Sequence, residues 1–394
     1  MERVAVTGIG VVSPIGNGKA EFWQNCAAGK NGITRVKRFD TSQYQTDMGG
    51  EIEDFVPYMK NISPDMLGLC SQYAVSAARM AYDDSGLEAI EGECNVSMGT
   101  TMGEGQELSS TLRYKTDSDI DAIKKRIGLF PAFNIASAIS REFDLSGEVS
   151  LIPNACSAGN FAIINAYEKI RAGKVRYAFA GGADVLSENA FRGFSKLRSL
   201  AAEKCRPFDK NRSGLIIGEG AGVLFLESMS SAMMRGAHIY AEMIGWGASC
   251  DAYNMVIPSP DAKGIKKAIS QAVETSGIGY DEIDYICAHG TGTPANDSAE
   301  ALAINELFGN IAVSSVKSMI GHSMGAASAI EAAVCALAIE NSLIPPTINF
   351  TEPDEKCRID CVPNAARQKR IRIAANNAYA FGGSNTCVLF KEVM

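Results

Sequence analysis

Histidine is scarce, with three residues in a chain of 394, and tryptophan scarcer still at two. So few imidazoles exclude a site built on many histidines and make the position of each one informative. Cys-x-x-Cys pairs are missing, and the eleven cysteines form an odd, scattered set. That excludes a disulfide framework or zinc ribbon and fits the reducing cytoplasm, with most thiols buried as small apolar groups. Cys357 and Cys361 have no nearby histidine or second pair and read as buried or incidental thiols, not as half a metal site. Low-complexity tracts and long charge runs are absent. No basic, apolar leader follows Met1, and no stretch reads as apolar enough to span a bilayer. The expectation is a cytoplasmic protein with no membrane role. A positive surplus is lacking too: the formal net charge of -8 argues against a nucleic-acid partner, which needs a basic surface.

What is present is an ordinary globular composition, 46% hydrophobic and 21% charged, on a chain long for one hydrophobic core. Apolar strand-like runs alternate with helical patterns along its length. Strands are expected at Arg3 to Thr7, Cys94 to Met98, Val149 to Ile152, Tyr177 to Gly181, Gly222 to Glu227, Tyr285 to Ala288, Ile311 to Ser315, Arg372 to Asn376 and Thr386 to Lys391. This alternation predicts an α/β protein with buried sheets. The passage from Ser228–Gly236 into Ile239–Trp246 divides it into two halves, 1–240 and 241–394. The opening Gly8-Ile9-Gly10 imitates a dinucleotide-binding loop, but Ser13 occupies the third glycine position and Pro14 interrupts the helix that would receive a pyrophosphate.

Three segments carry candidate chemistry. Asn154-Ala155-Cys156-Ser157-Ala158-Gly159 follows a strand and presents Cys156 at a helix start, with small neighbours that leave room at the sulfur. The helix dipole and free amides there are expected to stabilise the thiolate by about 0.5 to 2 kcal/mol, lowering its pKa by about 0.4 to 1.5 from a reference near 8.5. Ala288-His289-Gly290-Thr291-Gly292-Thr293 places His289 at a strand end, a common position for catalytic groups, with two hydroxyls that suit either a polar ligand or the turn's own amides. Asp297 and Glu300 read as cap residues of the helix that follows. Lys317-Ser318-Met319-Ile320-Gly321-His322 repeats the strand-to-helix arrangement, with Lys317 placed to orient or tune His322. Glu331, in an otherwise apolar helix, reads as a buried hydrogen-bond or ion-pair partner. Ala380-Phe381-Gly382-Gly383-Ser384-Asn385 separates two strands, where a glycine pair exposes backbone amides suited to an oxyanion hole or simply makes a hairpin. One nucleophile with two imidazoles fits carbon or acyl chemistry on a thioester.

In this order, the Cys156 elbow, His289-Gly290-Thr291-Gly292-Thr293-Pro294, Lys317 to His322 and Phe381 to Asn385 resemble the β-ketoacyl-acyl-carrier-protein synthases, both the type II elongating kind and the polyketide ketosynthases. Thr7 to Gly16, Arg38-Phe39-Asp40 and Pro207-Phe208-Asp209 through Gly222 extend the likeness over essentially the whole chain. The resemblance implies a thiolase-like fold of two similar halves in a five-layer αβαβα core, usually a homodimer, with a heterodimer containing a chain-length-factor-like subunit as the other form. It implies that Cys156 carries the growing acyl group, that His289 and His322 stabilise the enolate formed as malonyl thioester loses carbon dioxide, and that Lys317 supports His322. The amides of Cys156 and Phe381 would form the oxyanion hole, Phe381 would gate the site, and Thr291 and Thr293 would line the pantetheine tunnel. No tightly bound cofactor is implied, because the phosphopantetheine arrives on the acyl carrier protein.

Two departures stand out. Arg212-Ser213-Gly214 replaces the family's Arg-Asp-Gly, and Asn61 to Tyr73 lacks the basic residues with which elongating enzymes dock the acidic carrier. Docking is therefore expected at Lys124, Lys125, Arg126 and Arg206, in a dedicated pathway, with Arg192, Lys196, Arg198, Lys204 and Lys210 as a further basic set. Two other readings compete: a non-catalytic chain-length factor, which would lack the nucleophile, and a thiolase or acyltransferase using the same cysteine without releasing carbon dioxide.

Overall fold

The computed structural model describes residues 1–107 and 120–393. Ten strands form its framework. The first five are Val4–Ser13 (β1), Cys94–Thr100 (β2), Val149–Pro153 (β3), Tyr177–Asp184 (β4) and Gly220–Ser228 (β5). The others are Ala241–Cys250 (β6), Tyr285–Cys287 (β7), Ala312–Ser314 (β8), Ile373–Ala380 (β9) and Ser384–Lys391 (β10). Their spatial orders are β3-β2-β4-β5-β1 and β8-β7-β9-β10-β6, the same permutation in both halves. In each, the second strand pairs in parallel with the third and fourth, and the remaining pairings are antiparallel. The halves meet where Val4–Val6 pairs with Ala241–Met243.

Helices fill the layers around these strands. Leu69–Ser85 (α1) covers one face of the first half, where its small residues lie on β1 and β5. A Cβ on Gly8 or Gly10 would come within 1.9 or 1.8 Å of the carbonyl oxygens of Ala81 or Ala77. The glycines that imitate a phosphate loop thus lie within a fully buried strand and permit close helix contact. Ala158–Arg171 (α2) and Ala327–Asn341 (α5) pack against each other between the two strand groups. Lys263–Ser276 (α3) and Pro294–Phe308 (α4) cover the second half. The result is the five-layer αβαβα arrangement.

One expectation is corrected. Met324–Asn341 spans 18 residues and is long and apolar enough to cross a bilayer, yet 89% of that window is buried inside the protein. It is apolar all round because α5 meets strands of both halves. Burial also fixes the start of α2. A Cβ on Gly159 would lie 2.8 Å from the Ala329 nitrogen, and one on Gly99 would lie 2.3 Å from the Ala158 carbonyl carbon. The turn carrying Cys156 is therefore pressed between β2 and α5.

Candidate active site

Cys156 occupies a short 3-10 turn, Ala155–Ser157, between β3 and α2, so the α-helix starts two residues later than the apolar pattern indicates. Ala155 has φ 44, the left-handed conformation that side chains resist. The strained turn holds the thiol at the floor of a cavity of about 260 Å³. His289, His322, Thr291, Thr293 and Phe381 line the same cavity. Three segments far apart in sequence thus share one cavity with the sulfur.

The expected lowering of the Cys156 pKa is overturned. Burial removes the thiolate from water and pushes the thiol up to about 12, against the opposing influence of the Lys317 charge and the backbone amides of Phe381 and Cys156, which hydrogen-bond the sulfur anion. A dipole at a helix start is a modest effect, and desolvation at a site 4% exposed exceeds it. In the free site the sulfur is a thiol at neutral pH, aimed at two backbone donors.

The imidazoles of His289 and His322 lie edge to face with centroids 5.4 Å apart. Burial and the nearby Lys317 charge hold both well below the ordinary histidine pKa, so both are neutral. The Met324 amide donates to His322 Nδ1 at 3.2 Å, leaving Nε2 to carry the proton. His322 is thereby set as a hydrogen-bond donor. His289 Nδ1 is buried without a hydrogen-bond partner among the described residues.

Lys317 does not hydrogen-bond His322. Its ammonium pairs with Glu331 Oε1, both side chains being 1% exposed. Burial raises Glu331 to about 7 even with that cation adjacent. The pair is the buried partnership expected of Glu331, and Lys317 acts on both imidazoles through its field.

Glu300 and Asp297 are not caps. The helix begins at Pro294 with Thr293 as its cap, and both acids reach back into the preceding loop. Glu300 accepts the His289 and Gly290 amides at 2.9 and 2.8 Å, while Asp297 accepts those of Phe208 and Gly292 at 2.8 and 3.2 Å. Burial lifts Glu300 to about 8. The visible signal was an acid between Ala299 and Ala301, the same pattern that exposed Glu331.

Sequence reasoning also missed Asp184 and Tyr379. Asp184 accepts the amides of Thr101, Met102 and Gly325 at 2.7, 2.8 and 2.6 Å, joining the loop after β2 to the turn that orients His322. Tyr379 stands edge to face with His289 at 5.6 Å. Phe381 is half-buried against Phe194, centroids 5.7 Å apart, in the β9–β10 turn. Thr291 and Thr293 hydroxyls hydrogen-bond each other at 2.9 Å.

The four expected docking residues do not line the cavity. Lys124 and Lys125 are exposed on the helix Ile120–Leu129, Lys124 lies 3.6 Å from Asp121, and Arg126 pairs with Glu107 at 2.8 Å. Arg206 is half-buried and reaches Thr351 at 3.4 Å. Where the family's aspartate is missing, Arg212 reaches Asp354 and the Ser298 hydroxyl, and Ser213 faces the cavity.

Known proteins match over the whole length. The family model for the beta-ketoacyl synthase N-terminal domain matches residues 1–232, and that for the C-terminal domain matches 240–351. A 3-oxoacyl-[acyl-carrier-protein] synthase 2 of Coxiella burnetii is 38% identical, over 99% of each chain. One from Synechocystis sp. is 36% identical, over 99% of this chain and 98% of its own. The solved ishigamide ketosynthase/chain length factor superposes with a TM-score of 0.94 at 40% identity, covering 100% of both chains. A type II PKS ketosynthase, solved with its acyl-carrier protein and bound to the hexaketide, gives 0.92 at 31% identity, again covering 100% of both.

Proposed function

The chain belongs to the beta-ketoacyl synthase family, and from that premise we propose that it joins an acyl group on Cys156 to malonyl-acyl carrier protein, giving a 3-ketoacyl-acyl carrier protein and carbon dioxide. The observation that carries this reading is the convergence of one buried cysteine and two neutral imidazoles on a single cavity. A non-catalytic chain-length factor needs none of the three. A thiolase-like transferase does not need a second neutral imidazole beside the first.

In the first half-reaction Cys156 Sγ attacks the acyl thioester, the carbon–sulfur bond to pantetheine breaks, and the thiol proton passes to the departing pantetheine sulfur. Because the thiol stands at about 12, deprotonation accompanies attack and does not precede it. The amides of Phe381 and Cys156, which face the sulfur, receive the oxyanion. Losing one such donor costs about 3 to 4 kcal/mol in comparable sites.

In the second half-reaction the malonyl carbon–carboxylate bond breaks, carbon dioxide leaves, and the electron pair becomes an enolate. Neutral His322, donating from Nε2, and His289 stabilise its oxygen without trapping the carboxylate in a salt bridge. The enolate carbon attacks acyl-Cys156, and the tetrahedral intermediate collapses to product and a cysteine sulfur that regains a proton from solvent. Thr291 and Thr293 flank the pantetheine arm, and Phe381 opens or closes the cavity by moving against Phe194. The arm arrives on the carrier, so no resident cofactor is invoked.

A second subunit fits this reading. The edge strand β3 is half-buried, Ile127 is exposed on the basic helix, and Phe130 and Phe133 are exposed just after it. The likeness to a ketosynthase/chain length factor favours a heterodimer; a homodimer is the form that the sequence resemblance implies. The scattered thiols support a cytoplasmic location.

The test is carbon dioxide release and product mass with acyl-primed protein and malonyl carrier, for the intact chain and Cys156→Ala. Carbon dioxide with a 3-ketoacyl product two carbons longer, absent in the variant, is expected. Acyl transfer without carbon dioxide would overturn the assignment.

A further inference from the structure

Two turns, one from each half of the molecule, bring the backbone donors to the sulfur. Cys156 sits in the turn Ala155–Ser157, entered through Asn154 at φ -129 and ψ 54 and then Ala155 at φ 44. Phe381 sits in the turn between β9 and β10, which the facing pair Ala380 and Ser384 closes. The two residues after it, Gly382 and Gly383, have φ 85 and 77. Paired glycines leave a turn free to adopt many shapes, so the place of the Phe381 amide depends on what holds the turn from outside.

Two of its holds are main-chain bonds to the segment that follows β6. The Gly382 amide donates to the Met255 carbonyl at 2.8 Å, and the Asp251 amide donates to the Gly383 carbonyl at 2.8 Å. A third comes from the nucleophile's own turn: Asn154 Nδ2 donates to the Ser384 hydroxyl at 3.1 Å, across 230 positions of sequence. The Asn154 carbonyl also accepts the Ser157 hydroxyl at 3.3 Å, which ties Asn154 to the far side of the Cys156 turn. Both side chains are half-buried, and neither lines the cavity that Cys156, Ala380, Phe381 and Gly383 line. Any effect they have on the chemistry therefore passes through those residues.

Resting on the condensing-enzyme reading, we propose that Asn154 and Ser384 are positioning residues for the oxyanion hole, their hydrogen bond setting the spacing between the Cys156 and Phe381 amides. The pairing of Ala380 with Ser384 transmits the hold, since fixing Ser384 fixes the strand end from which Phe381 leaves. An oxyanion needs both donors within about 2.7 to 3.1 Å of one point, so a displacement that packing tolerates is one that catalysis does not. The tether is neutral and adds no charge to compete with the oxyanion for those amides. One neutral, half-buried hydrogen bond also adds little to global stability, so its loss is to be read in rate and not in melting.

The experiment compares the full chain with Asn154→Ala, Ser384→Ala, their double variant and Ser384→Thr. It measures the rate of Cys156 acylation at saturating acyl carrier, KM and kcat for malonyl carrier protein, and melting temperature. Each alanine variant is expected to lose about tenfold or more in acylation rate and kcat, with KM held within about twofold. Its melting temperature should stay within about 3 °C. The double variant should be no slower than the slower single one, because both exchanges break the same bond. Ser384→Thr keeps the hydroxyl and should come within about twofold of the unaltered chain. Ser384→Ala carries the test if Asn154→Ala disturbs folding of the strained turn. Unchanged rates in the alanine variants would overturn the proposal, as would slowing that multiplies in the double variant or persists in Ser384→Thr. If the unaltered chain neither acylates Cys156 nor releases carbon dioxide, the parent reading fails instead.

Discussion

Lys317 and Glu331 are buried together, and each is the other's hydrogen-bonded charge partner. Replacing Lys317 by methionine leaves Glu331 buried, protonated and without its partner, with an expected loss of about 1 to 3 kcal/mol in a urea melt. The double exchange Lys317→Met/Glu331→Leu removes both charges and should regain most of that loss. Turnover should remain down by about tenfold or more, because His289 and His322 lose the cation whose field acts on both. Full activity in the double variant would reduce Lys317 to a structural role. Cys156 belongs to this scale as well. Its neighbours in sequence argued for an easily ionised thiol, and its neighbours in space made it a protonated one.

Among elements, the contact between α2 and α5 positions the nucleophile. Gly159 lies three residues after Cys156, and a methyl there would meet the Ala329 nitrogen and the Ser328 hydroxyl, each at 2.8 Å. Gly159→Ala is expected to destabilise by about 1 to 3 kcal/mol through overpacking. It should also slow acylation of Cys156, read by intact-protein mass after brief exposure to acyl carrier, because the turn must shift with the helix start. Gly173 at the far end of α2 provides the contrast. It has φ 69 and open space around its Cβ position, so Gly173→Ala should cost about 1 kcal/mol in strain and leave acylation at its normal rate. Equal slowing in both variants would mean that acylation follows global stability and not the position of the turn. The loop of His289 obeys a similar logic, since Glu300 holds it from the helix that follows.

At the scale of the whole molecule, burial between layers has raised several carboxyl groups: Asp184 to about 6, Glu104 and Glu331 to about 7, and Glu300 to about 8. Below about pH 4 native and unfolded chains both hold these protons. Between there and the native values only the native chain holds them, so unfolding releases protons and rising pH favours it. His289 and His322, neutral in the native chain, add an opposing slope only while the unfolded imidazoles still titrate, up to about pH 7.5. The melting temperature should therefore fall between about pH 7.5 and 8.5, and go on falling above that, because buried thiols such as Cys156 and Cys205 keep protons that the unfolded chain gives up at about pH 8.5. Glu300→Gln should flatten the slope, and a melting temperature that rose across this window would contradict the raised values. The sequence by itself determined the strand and helix alternation, the two halves and the three glycine-flanked segments of the site, because periodicity, turn residues and reactive side chains are local properties. It also marked Glu331, since one acid in an apolar helix is conspicuous without coordinates. Only the tertiary structure decided that α5 is a core helix and not a membrane span, that Glu300 and Asp184 hold the loops of the two imidazoles, that Cys156 is a thiol, and that Asn154 reaches Ser384. Each of these depends on desolvation and on distances between segments far apart in the chain, and burial alters charge energies by more than any local helix or turn effect.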